Sequence, residues 1–170
     1  MTESLQNVLW NSPPNSSGHI AGKLSLCIGL PIMIRNNDAT ELCITKGQEA
    51  IVVCWDAATG PYGQLILENL FVKLIDPPKD VTIGDLPLNV IPMSRATSTI
   101  DCILPNDSVL RVTRQQALVL PNFSMTDFAA QGKTRKNNVV DLDKCQSHLS
   151  YYTCLSRSAS AEVKIVSKNH

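Results

Sequence analysis

No run of about eighteen apolar residues occurs in the chain, which excludes a helical membrane span. The opening MTESLQNVLW has neither a basic start nor the long apolar core of a signal peptide, so the expected home is nuclear or cytoplasmic, not secreted. An excess of one charge is lacking as well. Fifteen Lys and Arg balance fifteen Asp and Glu, so no overall positive field gathers nucleic acid or anionic membrane, and any DNA contact has to be local. Aromatic residues are only 5% of the chain, so Trp10, Trp55, Phe71, Phe123, Tyr151 and Tyr152 are needed for the core before they serve as stacking platforms. The six cysteines, Cys27, Cys43, Cys54, Cys102, Cys145 and Cys154, include no CxxC pair. That disfavours a zinc site and a disulfide scaffold, and they read as reduced core thiols of an intracellular protein.

Catalytic signatures are also few. His19, His148 and His170 have no partners at metal-ligand spacing, and Ser124, Ser147 and Ser156 lack a nucleophile elbow. Gly132-Lys133-Thr134 superficially matches the end of a phosphate-cradling Walker A loop, but Asp127 stands where the first Gly is required, and residues 136–138 lead into a strand. With no Walker B carboxylate pair either, the sequence does not contain the half of a nucleotide motor that holds ATP and Mg²⁺.

What is present suffices for a folded core: 44% of the 170 residues are apolar and 18% charged, enough for one ordinary domain or two small ones. Residues 2–10 fit a short helix with Leu5, Val8 and Leu9 on one face, ended by Pro13 and Pro14, and residues 11–22 read as a loop. Strands are expected over 24–36, 49–55, 65–75, 81–83, 99–104 and 108–112, separated by turn residues. Strands this short and closely spaced argue for a small barrel over residues 24–113, preceded by a tail over 1–23.

From Arg114 onward the pattern changes. An apolar run ends at Ser124 and Thr126, and a polar, phosphate-sized turn carrying Gln131, Gly132, Lys133 and Thr134 follows. Residues 138–142 fit a second buried strand, and Asp143 with Gln146 three residues later fits a capping-box helix start. That helix would put His148, Tyr151, Tyr152 and Leu155 on one stripe and Arg157 near its C-terminal end. Taken alone, Arg157 fits a cation complementing the helix dipole, and Lys133, Arg135 and Lys136 fit either a solvated loop or a short phosphate track.

The order Arg, two residues, apolar run, Met125-Thr126, four residues, Gln131-Gly132-x-Thr134, then Val139-Val140-Asp141-Leu142, then Tyr152-x-x-Leu155-Ser156-Arg157 resembles motifs five and six of superfamily-one DNA helicases. It is most similar to the petite-integration-frequency family and its relatives in Helitron-type transposons. Gly29, Pro31, Met33, Arg35 and Asn36 resemble a "Gly-x-x-Val-Met-x-x-x-Asn" strand of that family, and residues 45–52 resemble its next turn, with Lys46 and Ala50 standing where Asn and a second Gly are usual.

The resemblance implies an α/β fragment, predominantly β. A small β-barrel of the Src-homology-three type would be joined to the C-terminal strands and helix of a RecA-like, P-loop NTPase half over 114–170. It implies that Thr126, Gln131, Gly132 and Thr134 contact the DNA backbone and relay to the nucleotide, that Lys133, Arg135 and Lys136 track phosphates, and that Arg157 is an arginine finger. Asp127-Phe128 replaces the His-Lys of many relatives, and loss of a cation beside a polyanion implies weak binding to single-stranded DNA. ATP and Mg²⁺ would be used only with an ATP-binding half, in trans or in the same motor, and the isolated chain is expected to hydrolyse no ATP and to need no cofactor. The expected function is the nucleic-acid-binding and nucleotide-sensing segment of an ATP-dependent 5′-to-3′ helicase. The alternative is a non-enzymatic DNA- or protein-binding module, including an inactive transposon-derived remnant.

Overall fold

Alternating apolar residues along short extended segments produce a sheet with one covered face. The computed structural model describes residues 3–13, 16, 20–122, 134, 138–145, 147–160 and 164–165. The chain divides into two units, Met1–Phe123 and Ser124–His170.

In the first unit, β1 (Pro31–Ile34), β2 (Glu49–Thr59), β3 (Leu65–Leu74) and β4 (Val90–Ser94) pair antiparallel in sequence order. A hairpin of β5 (Ala96–Ile103) and β6 (Val109–Gln116) follows, and β7 (Val119–Pro121) returns beside β1 to give the open order β4-β3-β2-β1-β7. The fold is predominantly β with few helices, in open sheets. Ile32, Ile34, Ala50, Val52, Leu70, Val72, Leu74, Ile91 and Met93 form its core, closed by Cys43, Ile44, Val81, Ala117 and Val119. Each fully buried aliphatic side chain here contributes on the order of 1.5–3 kcal/mol.

Several boundaries differ from expectation. The strand expected over 24–36 is confined to Pro31–Ile34. Gly29 adopts φ +83°, a conformation suited to glycine, and its N–H donates to Val52 O at 2.8 Å, so the chain bends into the sheet only there. Residues 81–83 are not a strand. Val81 is buried in a loop, its N–H bonded to Asn89 Oδ1 and its carbonyl to Asn89 N–H, both at 2.8 Å, with Asn89 in the left-handed region. β4 escapes sequence reading because Pro92 interrupts its apolar run. The structure puts it at the sheet edge, where a residue without an N–H is tolerated. In the turn before β2, Gly47 takes φ +90° and donates to Ile34 O at 2.8 Å, while Asn37 Oδ1 accepts from Lys46 N at 2.8 Å. Ala50, where a second glycine is usual, is a fully buried strand residue opposite Ile32 and Leu74.

Helix α1 (Glu3–Asn11) buries Leu9. One carbonyl at its C-terminal end finds a cation from the hairpin: Arg114 of β6 donates through Nη2 to Leu9 O at 2.6 Å, and through Nη1 to Ile20 O in the segment that follows the helix. Gln116 reaches Ala21 O at 3.5 Å, and Trp10 meets Tyr62 edge-on with centroids 6.4 Å apart. Gly22 lies so close to α1 that a Cβ there would fall 2.7 Å from Leu9 O and from Trp10 Cα. Arg114 and Gln116 also explain why β6 continues to Gln116 when its apolar signal stops at Val112: these polar strand residues terminate on backbone carbonyls.

The second unit, described by itself, is a β-α-β element. β8 (Val139–Val140) pairs in parallel with β9 (Lys164–Ile165), and α2 (His148–Leu155) lies between them in sequence. A parallel pair needs such a crossover connection.

Candidate functional site

The chemistry expected of motif six depends on how α2 begins and ends. Asp143 does not start the helix; it sits in a single 3-10 turn, Leu142–Lys144. The N-cap is Ser147, whose hydroxyl accepts from Ser150 N at 3.2 Å and satisfies one of the orphan donors. The stripe of His148, Tyr151, Tyr152 and Leu155 lies within the helix, but all four are exposed, Tyr152 to 69%.

At the other end, Ser156 N donates to Tyr152 O at 2.9 Å. Arg157 follows, half-buried, with Nε donating to Thr153 O at 3.2 Å and Nη2 to Ser156 Oγ at 2.8 Å. The guanidinium therefore folds over the helix C-terminus, where carbonyl partial charge favours a cation, and no carboxylate pairs with it among the described residues. Both bonds are to neutral acceptors, a carbonyl and a hydroxyl.

Asn138, which the sequence reading treated only as the start of a strand, anchors this end. Its Nδ2 donates to Cys154 O at 2.7 Å and to Ser158 Oγ at 3.1 Å, bracketing Ser156 and Arg157 and linking them to the entry of β8. A polar residue directly before the Val-Val strand was the only available signal.

Of the other expected site residues, Thr134 is exposed. Thr126, Gln131, Gly132, Lys133, Arg135 and Lys136 lie outside the described residues. Among the described residues no group of three or more His, Cys, Asp or Glu is placed to hold a metal ion. No helix among them is long and apolar enough to cross a membrane.

No protein-family model matches the sequence, and no curated protein matches it either. Solved structures do match. Pif1 helicase from Candida albicans aligns with a TM-score of 0.61 at 19% identity, covering 99% of this chain and 37% of that one. Pif1 helicase from Bacteroides in complex with ADP-AlF3 and single-stranded DNA aligns with a TM-score of 0.56 at 18% identity, covering 86% and 30%. Bacteroides Pif1 bound to single-stranded DNA gives a TM-score of 0.56 at 17% identity, covering 84% and 29%. This chain thus spans little more than a third of the first and under a third of the other two. At such identities the likeness concerns the fold: the chain folds like a segment of the Pif1 helicases.

Proposed function

We propose that the chain is the C-terminal nucleic-acid-binding and nucleotide-sensing segment of an ATP-dependent 5′-to-3′ DNA helicase, whose Walker A and B half is supplied by another segment or chain. The β1–β7 region would be the counterpart of the Src-homology-three-type insert, and β8-α2-β9 the end of the RecA-like half. One observation carries the reading: Arg157 sits at the end of the helix of a parallel β-α-β element, held by Thr153 O and Ser156 Oγ, with no carboxylate partner among the described residues. The motif order and the fold likeness support the same reading.

In this function Arg157 stabilises charge developing on a transferred phosphoryl group and reports its loss to the DNA-binding side. Ser156 holds its fork, and Asn138 ties down the neighbouring Cys154 carbonyl and Ser158 hydroxyl. Thr126, Gln131, Gly132 and Thr134 contact the DNA backbone, and Lys133, Arg135 and Lys136 add a short phosphate track. ATP supplies the phosphoryl group, and Mg²⁺ would belong to the ATP-binding half.

The test is an assembly with a Walker A-containing half. Arg157→Ala should lower DNA-stimulated turnover about a thousandfold, the low end for arginine fingers, with single-strand affinity nearly unchanged. Near-normal turnover in the variant would overturn the assignment and favour a non-enzymatic module. The isolated chain should release no phosphate above background. Its affinity for single strands should be weak, with about two or three counterions released at ~0.7 per contact, and the triple Ala variant of Lys133, Arg135 and Lys136 should lose most of that salt slope.

A further inference from the structure

Two cysteines from different elements meet within the Ser124–His170 unit. Cys145 closes the 3-10 turn at Leu142–Lys144, its N–H donating to Leu142 O at 3.1 Å, and Cys154 lies in the last turn of α2. Their sulfurs are 3.9 Å apart, and both residues are half-buried. Cys145 Sγ also lies 3.9 Å from Asp141 O. No other cysteine pair among the described residues makes such a contact. Cys43 and Cys102 are buried away from reagents, and Cys27 and Cys54 are exposed.

The backbones carrying the two thiols are held independently. Cys145 is fixed by its turn, and Cys154 by its helix and by Asn138, which donates to the Cys154 carbonyl at 2.7 Å. Each thiol therefore stays beside the other as an intramolecular reactant, the arrangement that favours ring closure over two separate reactions. A disulfide needs sulfurs about 2 Å apart, so they have to close by roughly 2 Å, a movement on the scale of side-chain rotation.

We propose that Cys145 and Cys154 form a redox modification site, a dithiol that a low-molecular-weight disulfide of the glutathione class converts to an intramolecular disulfide. One protein thiolate attacks a sulfur of oxidised glutathione, forming a mixed disulfide and releasing one glutathione thiolate. The second protein thiolate attacks the protein-side sulfur of that mixed disulfide, forming the Cys145–Cys154 bond and releasing the second glutathione. Two electrons pass from the cysteines to glutathione, and the two thiol protons end on the two reduced glutathione molecules. The bond ties the turn after β8 to the last turn of α2, three positions before Arg157. Oxidation thus stiffens the helix end that Asn138 already clamps.

The experiment uses the full reduced chain, equilibrated across ratios of oxidised to reduced glutathione, acid-quenched, and followed by intact mass and peptide mapping. The expected product has lost about 2 Da, two hydrogens, with Cys145 joined to Cys154. Exchange of the α2 amides should slow by roughly tenfold or more, because the closed loop restrains the opened state. Cys145→Ser should stop at a glutathione adduct on Cys154, and Cys154→Ser at an adduct on Cys145; the wild-type map stands even if one variant fails to fold. Separate stable adducts on both cysteines, a cross-link to Cys27 or Cys54 instead, or a dithiol that persists in excess oxidised glutathione would each overturn the proposal.

Discussion

The Met1–Phe123 unit and the Ser124–His170 unit solve the burial problem differently. In the first, five antiparallel strands share one sealed face, and even the polar ends of β6 terminate on carbonyls. In the second, the described sheet is two residues wide per strand and the helix exposes Leu149, Tyr152 and much of Tyr151 and Leu155. Parallel sheets are ordinarily covered on both faces, and a two-stranded pair is not stable by itself in water. The difference teaches that the first unit stores its stability in a core, whereas the second keeps its local order through a few polar clamps: Ser147 at the helix start, and Asn138 at its end. Substitutions should therefore act globally in one and locally in the other.

The largest effect should come from the core. Leu70 is fully buried between Trp55 of β2 and Met93 of β4, so Leu70→Ala leaves a cavity and should cost about 2–5 kcal/mol, read from urea denaturation of the full chain. Leu155→Ala on the exposed face of α2 should stay within about 0.5 kcal/mol. Equal losses for the two would erase the contrast between the units.

Next comes Arg114. Its fork donates to Leu9 O and Ile20 O, so Arg114→Ala should destabilise by roughly 1.5–3 kcal/mol, the range for charged hydrogen bonds. Hydrogen exchange should show α1 released while β2 and β3 stay protected. Arg114→Lys should rescue only part of this, since an ammonium does not reproduce the two-pronged geometry. Uniform loss of protection over the whole unit would mean that α1 belongs to the global core.

In the second unit, Asn138→Ala should cost about 1 kcal/mol, the typical net value of a hydrogen bond, confined to the end of α2. Asn138→Asp is the sharper probe, because a carboxylate is unable to donate to Cys154 O and adds negative charge at a helix C-terminus. It should open the helix end more than Asn138→Ala does. An Asp variant as protected as wild type would remove Asn138 from its anchoring role.

The legibility of the sequence follows the same division. Apolar runs rich in β-branched and aromatic residues made β2 and β3 readable, whereas Pro92 hid β4 and the polar Arg114 and Gln116 hid the end of β6. The start of α2 was misplaced because Asp143 and Gln146 have capping-box spacing, while Ser147 makes the cap. Arg157 stands out only through its spacing from Tyr152, since an arginine at a helix end has an ordinary electrostatic explanation. Asn138 and the meeting of Cys145 with Cys154 depend on how the chain folds back after α2, which no local pattern encodes.

The smallest effect should come from the hairpin's outer face, where Arg111 donates to both oxygens of Asp101, at 2.8 and 3.2 Å. The hydrogen bond from Arg111 is the main reason the Asp101 carboxyl lies below its ordinary value of 3.8. A depressed folded-state value means that the pair's contribution is present above the unfolded carboxyl's range and is lost as pH falls through the folded one. Arg111 stays charged throughout and adds no pH dependence of its own. Both partners are well exposed, so solvent and salt screen the pair, and crossing the hairpin in register it only supplements the backbone ladder. Asp101→Asn should therefore leave neutral-pH stability almost unchanged in high salt. In low salt, the difference from wild type should vanish as the solution is acidified below the carboxyl range. A loss at neutral pH comparable to Leu70→Ala would show that hairpin stability rests on surface charge, and the contrast between a core-held unit and a clamp-held unit would need a third category.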